Sequence, residues 1–156
     1  MVPTAWLNAF MRETPIPEGT PVLLGLDAST EHDVIGRMIH MLTSRVEVRD
    51  PQELQRAVLE RQKLQTPLLG SGIALPHART AAVTNMVMAI ARCREPVPFG
   101  PDKVPIRLVF LYGIPTHCIS RYLASVAQLS RVLKNPTTIE ALLAAPDEAD
   151  FRNLLL

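Results

Sequence analysis

The sequence predicts an α/β fold: a three-layer α/β/α domain in which a mixed sheet of about four to five strands is flanked by helices. Three observations carry this. Apolar runs such as Val22-Leu23-Leu24 and Ile73-Ala74-Leu75 are short enough for buried strands. Other segments repeat their apolar residues at helical spacing. The elements come in runs (helix, strand, two helices, three strands, three helices), and runs without strict alternation give a mixed sheet covered on both faces. A chain of 156 residues, 47% hydrophobic and 20% charged, has the size and composition of one globular domain spanning 1–156.

In chain order, residues 1–20 contain Pro3, Pro15 and Pro17 and read as a segment packed on or flanking that domain. A short helix fits about Ala5 to Met11. Val22 to Leu26 is the first strand. Ser29 or Thr30 then opens a helix with Glu31 and Asp33 in its first turn, where the positive end of the helix dipole favours acids. Val34, Met38 and Leu42, joined by Ile35 and Ile39, give that helix its apolar face. Asp50, Pro51 and Glu53 are a stronger start signal, with a capping carboxylate, proline at the first helical position and an acid at the third. This helix runs to about Arg61 or Leu64, because Pro67 disfavours helix at Thr66. Strands are expected at Ile73–Leu75, Met86–Ala91 and Ile106–Tyr112, with Pro96, Pro98, Gly100, Pro101 and Pro105 in the loop before the last. A long helix from about Ser120 turns Leu123, Val126, Leu129 and Leu133 to the core. Thr137 and Glu140 read as a capping box for a helix to Ala145, and Asp147 opens a last helix through Leu155.

Composition excludes several functions. The net charge is +1, without the basic excess that a nucleic-acid binder needs against phosphates. Two cysteines, Cys93 and Cys118, make neither a disulfide framework nor a zinc ribbon. Proline is high, 14 of 156 residues, without a low-complexity tract. No apolar run reaches the ~18 residues of a membrane span, and the N-terminus lacks the charged and apolar regions of a signal peptide. The expectation is a cytoplasmic protein with no direct membrane insertion.

The informative stretch is Leu68-Leu69-Gly70-Ser71-Gly72-Ile73-Ala74-Leu75-Pro76-His77-Ala78-Arg79-Thr80. Its glycines permit positive φ and leave amides unshielded, and Pro76 holds Leu75 extended. His77 then falls at the end of a strand, beside Arg79 and Thr80. An imidazole is a nucleophile at neutral pH when one nitrogen is free and an acceptor holds the other. The remaining histidines offer less. His32 is a surface residue of a first helical turn, and His40, eight residues on, is too distant for paired ligation on one helix. His117 beside Cys118 lacks further zinc ligands. Gly70-Ser71-Gly72 is neither a nucleophile elbow nor a phosphate-binding P-loop, so Ser71 reads as a turn residue whose amide matters more than its hydroxyl.

Gly-Ser-Gly-Ile-Ala-Leu-Pro-His-Ala-Arg resembles the active-site segment of enzyme IIA domains of the bacterial phosphotransferase system, fructose/mannitol type, a group that includes the nitrogen-regulatory enzyme IIA. The family pattern sets an arginine near a helix end, then a loop with a serine or threonine, then G-x-G-I-A-[ILV]-P-H. Arg61 stands sixteen positions before His77, as in that pattern. The resemblance runs from about Leu7 to Leu154 and is sharp from Glu60 to Thr80. It implies a phosphohistidine carrier without cofactor or metal. In this reading His77 accepts a phosphoryl group from an HPr-type phosphocarrier and passes it to an enzyme IIB domain, or holds it as a signal to a regulatory target. Arg61 compensates charge, and Ser71, Gly72, Arg79 and Tyr122 contact the phosphate.

Two positions depart from the family pattern. Many members carry a second histidine where this chain has Tyr122, and Pro67 replaces a small or hydroxyl residue. Tyrosine donates a hydrogen bond but carries no positive charge. This motivates the alternative of a regulatory binding module that keeps the fold without productive transfer. A hydrolase using Ser71 is the remaining rival and lacks a supporting motif. A free-standing chain of this length is most like the nitrogen-regulatory branch, and any sugar transport would need partners in trans.

Overall fold

The computed structural model describes residues 16–70 and 72–156. Among the described residues, five strands and five α-helices follow one another as β1 (Val22–Leu26), α1 (Glu31–Met41), α2 (Pro51–Leu64), β2 (Ile73–Ala74), β3 (His77–Arg79), β4 (Val87–Phe99), β5 (Val104–Ile114), α3 (Ile119–Leu133), α4 (Pro136–Ala144) and α5 (Glu148–Leu154). The sheet order is β1-β4-β5-β2, with β3 also paired to β5. β1 runs parallel to β4, β4 antiparallel to β5, and β2 and β3 parallel to β5. The sheet is mixed, as expected. The expected helix between Ala5 and Met11 lies outside the described residues.

Strand periodicity divides the core in two. On β4, Ala89, Ala91 and Cys93 pack towards α1 and α2, while Met88 and Ile90 face the opposite way. On β5, Val109 and Leu111 join the first group, and Leu108, Phe110 and Tyr112 the second. The first core closes under Val34, Ile35, Met38, Leu54 and Val58; the second under Leu129, Leu133, Leu142 and Phe151. Each such side chain contributes about 1.5–3 kcal/mol when fully buried, so the two helical layers hold the sheet from both sides. Gly113 permits close approach of α2, since a Cβ there would stand 3.0 Å from Leu54 Cδ1 and from Val87 Cγ2.

The caps at Thr30, Asp50 and Asp147 form as expected. Their side chains accept from the amides of Asp33 at 3.1 Å, Glu53 at 3.1 Å and Asp150 at 2.9 Å. Four expectations are corrected. α4 is capped by Asn135, which accepts from Thr137 N at 2.9 Å, with Pro136 in the first turn, in place of a Thr137–Glu140 box. Leu123 points outward, 59% exposed, so the buried stripe of α3 is set by Tyr122, Ser125, Val126, Leu129 and Leu133. β4 continues through Pro96 and Pro98 to Phe99. The pairing shifts register between Arg92 and Val97, an irregular stretch that accommodates Pro96, while Pro98 stands in register opposite Pro105, so that neither residue of that pair has an N–H to donate. The hairpin turns at Gly100 and Lys103, both with positive φ. Finally, His77 is the start of a strand and not the exit from one. Pro76 divides the sheet edge into two short strands, and His77 opens the second.

Candidate functional site

The edge strand β3 places the histidine. Tyr112 N–H donates to Pro76 O at 3.0 Å and Thr80 N–H to Ile114 O at 2.8 Å, fixing the backbone on both sides of His77. Alternation then turns buried Ala78 into the α1/α2 core and sets His77 and Arg79 on the other face. The loop before β3 is tied in from Pro67, whose carbonyl accepts from Leu75 N–H at 2.9 Å. Proline costs nothing here, because the loop uses the carbonyl and not the N–H that proline lacks.

His77 Nδ1 lies 2.9 Å from Leu75 O. A carbonyl only accepts, so Nδ1 carries the proton and Nε2 is left with the lone pair in the neutral ring. Burial pulls the imidazole below the ordinary histidine pKa of 6.5, and the positive charge of Arg61 adds to this. The Leu75 carbonyl, which favours the protonated ring, works against both. The neutral, nucleophilic tautomer is therefore the form present near neutral pH.

Tyr122 from α3 covers the ring, with centroids 5.4 Å apart and planes 30° from parallel. Burial raises its phenol pKa, and Arg61 opposes the rise. Arg61 comes from the last turn of α2, where its carbonyl accepts the closing bond from Gln65 N–H at 3.2 Å. The side chain is exposed and forms no ion pair among the described residues.

Arg61, His77, Arg79 and Tyr122 thus line one cleft of about 570 Å³ between α2, the sheet edge and α3. Ile114 and Ile119 supply an apolar wall. Gly72 does not line the cleft. Its carbonyl instead accepts from the amides of Arg107 at 2.9 Å and Leu108 at 3.1 Å, anchoring the loop to β5. Ser71 lies outside the described residues. Sequence reasoning missed Arg56 and Glu60, which line the same cleft from α2. Arg56, Glu60 and Leu64 follow one another at intervals of four, which marks one helix face and was the available signal. Both are engaged, Arg56 with Glu53 and Glu60 with Lys63. His32, His40 and His117 are exposed and outside the cleft. Among the described residues no group of three or more metal-ligating side chains comes together, and no helix is long and apolar enough to cross a membrane.

The chain is thus a mixed-sheet α/β domain whose edge histidine stacks on an aromatic ring in a cleft that a guanidinium also lines. The family model described as "Phosphoenolpyruvate-dependent sugar phosphotransferase system, EIIA 2" matches residues 19–156, and the chain belongs to that family of phosphotransferase system components. It is 30% identical over 149 residues to the fructose-specific EIIA component of Haloferax volcanii, covering 93% of this chain and 97% of that one. It is 28% identical over 139 residues to the fructose-specific EIIABC component of Bacillus subtilis; these cover 88% of this chain but only 22% of that longer protein. Among solved structures, the nitrogen regulatory protein IIA-Ntr of Neisseria meningitidis superposes with a TM-score of 0.79 at 25% identity, covering 90% of this chain and 96% of that one. The relatives therefore include both sugar-specific and regulatory members, and the α/β fold is theirs.

Proposed function

We propose that this chain is a cytoplasmic phosphohistidine carrier. His77 Nε2 attacks the phosphorus of a phosphohistidine on an HPr-type phosphocarrier. The Nε2–P bond forms as the donor P–N bond breaks, and the electron pair of the broken bond returns to the donor imidazole. Nδ1 keeps its proton on the Leu75 carbonyl throughout. Arg61 and Arg79 offset the charge of the phosphoryl oxygens, and Tyr122 donates to one of them. The group then passes to an enzyme IIB domain or is held as a signal to a regulatory target. The observation that carries this reading is the 2.9 Å contact of Nδ1 with a carbonyl, which leaves Nε2 unprotonated in a cleft that also holds Arg61 and Tyr122. Phosphoryl transfer between histidines needs positioning and charge compensation, and neither requires a metal. The Ser71 amide is assigned to phosphate contact on resemblance alone. Gly72 is left as a loop anchor.

The regulatory use of the same chemistry draws support from one feature, the neutral phenol of Tyr122 at the position where the resembled family pattern sets a second histidine. The test is incubation with phosphoenolpyruvate, enzyme I and HPr-type carriers of the source organism, followed by mapping of acid-labile phosphate. Label on His77 is expected. A wild-type chain that takes no label from any of these carriers would leave only the regulatory binding module.

A further inference from the structure

His77 and Tyr122 sit on different elements, β3 and α3, and something must fix one against the other. We propose that Tyr112, with Ser125 as its anchor, is a positioning residue that sets Tyr122 over His77. The inference rests on the carrier reading for its role in transfer, though not for its geometry.

Tyr112 touches both elements. Its backbone pairs with β3 directly opposite His77, and its N–H bonds to Pro76 O at 3.0 Å. Its ring meets that of Tyr122 edge to face, with centroids 5.2 Å apart and planes at 78°. Its hydroxyl lies 2.7 Å from Ser125 Oγ, and Ser125 follows Tyr122 by three residues on α3. One residue of the central hairpin therefore fixes the histidine strand by its backbone and the tyrosine helix by its side chain. Tyr112 is wholly buried, and burial holds its phenol up at about 12. It remains a neutral hydrogen-bonding group across the working pH range and takes no direct part in proton transfer. Edge-to-face pairs prefer a defined geometry and contribute about 0.5–1.5 kcal/mol beyond area burial, so a shift of either ring is resisted.

The groups facing His77 are Arg56, Glu60 and Arg61 from α2, Arg79 from β3 itself and Tyr122 from α3. Among these, Tyr122 covers a face of the imidazole and so contributes to its burial. Loosening Tyr122 lets water reach the ring and moves the His77 titration up, towards the ordinary value.

The experiment compares full-length wild type with Tyr112→Phe, Ser125→Ala and the double variant. It follows His77 by NMR titration and measures the rate of labelling from a phosphorylated HPr-type carrier. Either single change should raise the His77 pKa and slow labelling about 2- to 10-fold, what one neutral hydrogen bond is worth. The double variant should match the singles, because all three lack the same bond. Val58→Ala, in the opposite core, serves as a stability control: it should lower Tm and leave the His77 titration where it is. A Tyr112→Phe protein with wild-type titration and wild-type labelling would overturn the inference. Fully additive effects of Tyr112→Phe and Ser125→Ala would do the same. If wild type takes no label, the carrier reading fails, and the titrations alone still decide whether Tyr112 positions Tyr122.

Discussion

Removing the charge of Arg61 while keeping its bulk, as in Arg61→Gln, should act on His77 in two separable ways. The first is on the nucleophile. The guanidinium helps to hold the imidazole below 6.5, so its loss lets the titration rise. The second is on the transition state. A phosphoryl group loses a charge-assisted donor worth on the order of 1.5–3 kcal/mol, which is roughly 10- to 150-fold in rate. The pH dependence separates them. At about pH 8 the imidazole is neutral in both proteins, because even an unperturbed histidine titrates near 6.5, and the rate ratio reads only the transition-state loss. Towards about pH 6 the variant has a smaller neutral fraction than wild type, since its folded pKa is higher. The ratio must therefore widen on acidification. Titration of the donor carrier is common to both proteins and cancels. The assay is a quenched-flow time course of labelled phosphate at several pH values. Arg61→Lys should recover part of the loss, because an ammonium restores the charge without the fork of donors. A ratio near one throughout would remove Arg61 from the site. A large ratio that does not vary with pH would refute its electrostatic influence on His77 while leaving a role in holding phosphate.

His77→Ala should take up no acid-labile phosphate and keep its circular dichroism, because the ring packs on the cleft and not in either core; label persisting on this variant would refute the assignment. Stability should fall as pH drops below about 6.5: the unfolded imidazole takes up protons there while the folded one, with its lowered pKa, does not. Urea unfolding against pH should show this fall, weakened in His77→Gln. Gly100→Ala should lower Tm, since φ is +74° and the new Cβ would lie 2.7 Å from Thr66 Oγ1. Strain of this kind costs on the order of 1–3 kcal/mol, and phosphorylation of the folded fraction should be unchanged.

Much of this fold is legible in the sequence because its signals are local. Thr30, Asp50 and Asp147 cap by bonds to amides three residues on, and those distances are fixed in sequence. The errors arise where distant partners decide. Met86 to Ala91 marks where β4 begins, but only pairing with β5 carries it through Pro96 and Pro98. The short strand of His77 exists because β5 offers it a ladder. Leu123 satisfies an apolar spacing on α3, yet the buried stripe is rotated by one residue because Tyr122 must meet Tyr112 and His77. At the site, the motif carried His77 and its spacing to Arg61. Arg56 and Glu60 required knowing which face of α2 meets the sheet edge.

On the carrier reading, the makeup of the cleft bears on how tightly a phosphoryl group is held. A carrier must release what it accepts, so excess charge compensation is a disadvantage. Arg61 and Arg79 are exposed. Charges in water at 4 Å attract by about 1 kcal/mol, against about 4 kcal/mol at the effective dielectric of a protein surface. The partly buried position over the ring is where a positive charge would hold phosphate hardest, and there this chain has a phenol. The partner of Nδ1 is likewise a neutral carbonyl, which orients the ring without adding charge. Both choices leave the phosphorylated form less stabilised than a cleft with a second imidazolium would. A Tyr122→His protein should accordingly retain its phosphate longer in the presence of an acceptor at acid pH, where that histidine is charged, and match wild type at alkaline pH. Equal lifetimes at every pH would show that Tyr122 does not set the hold on the phosphoryl group.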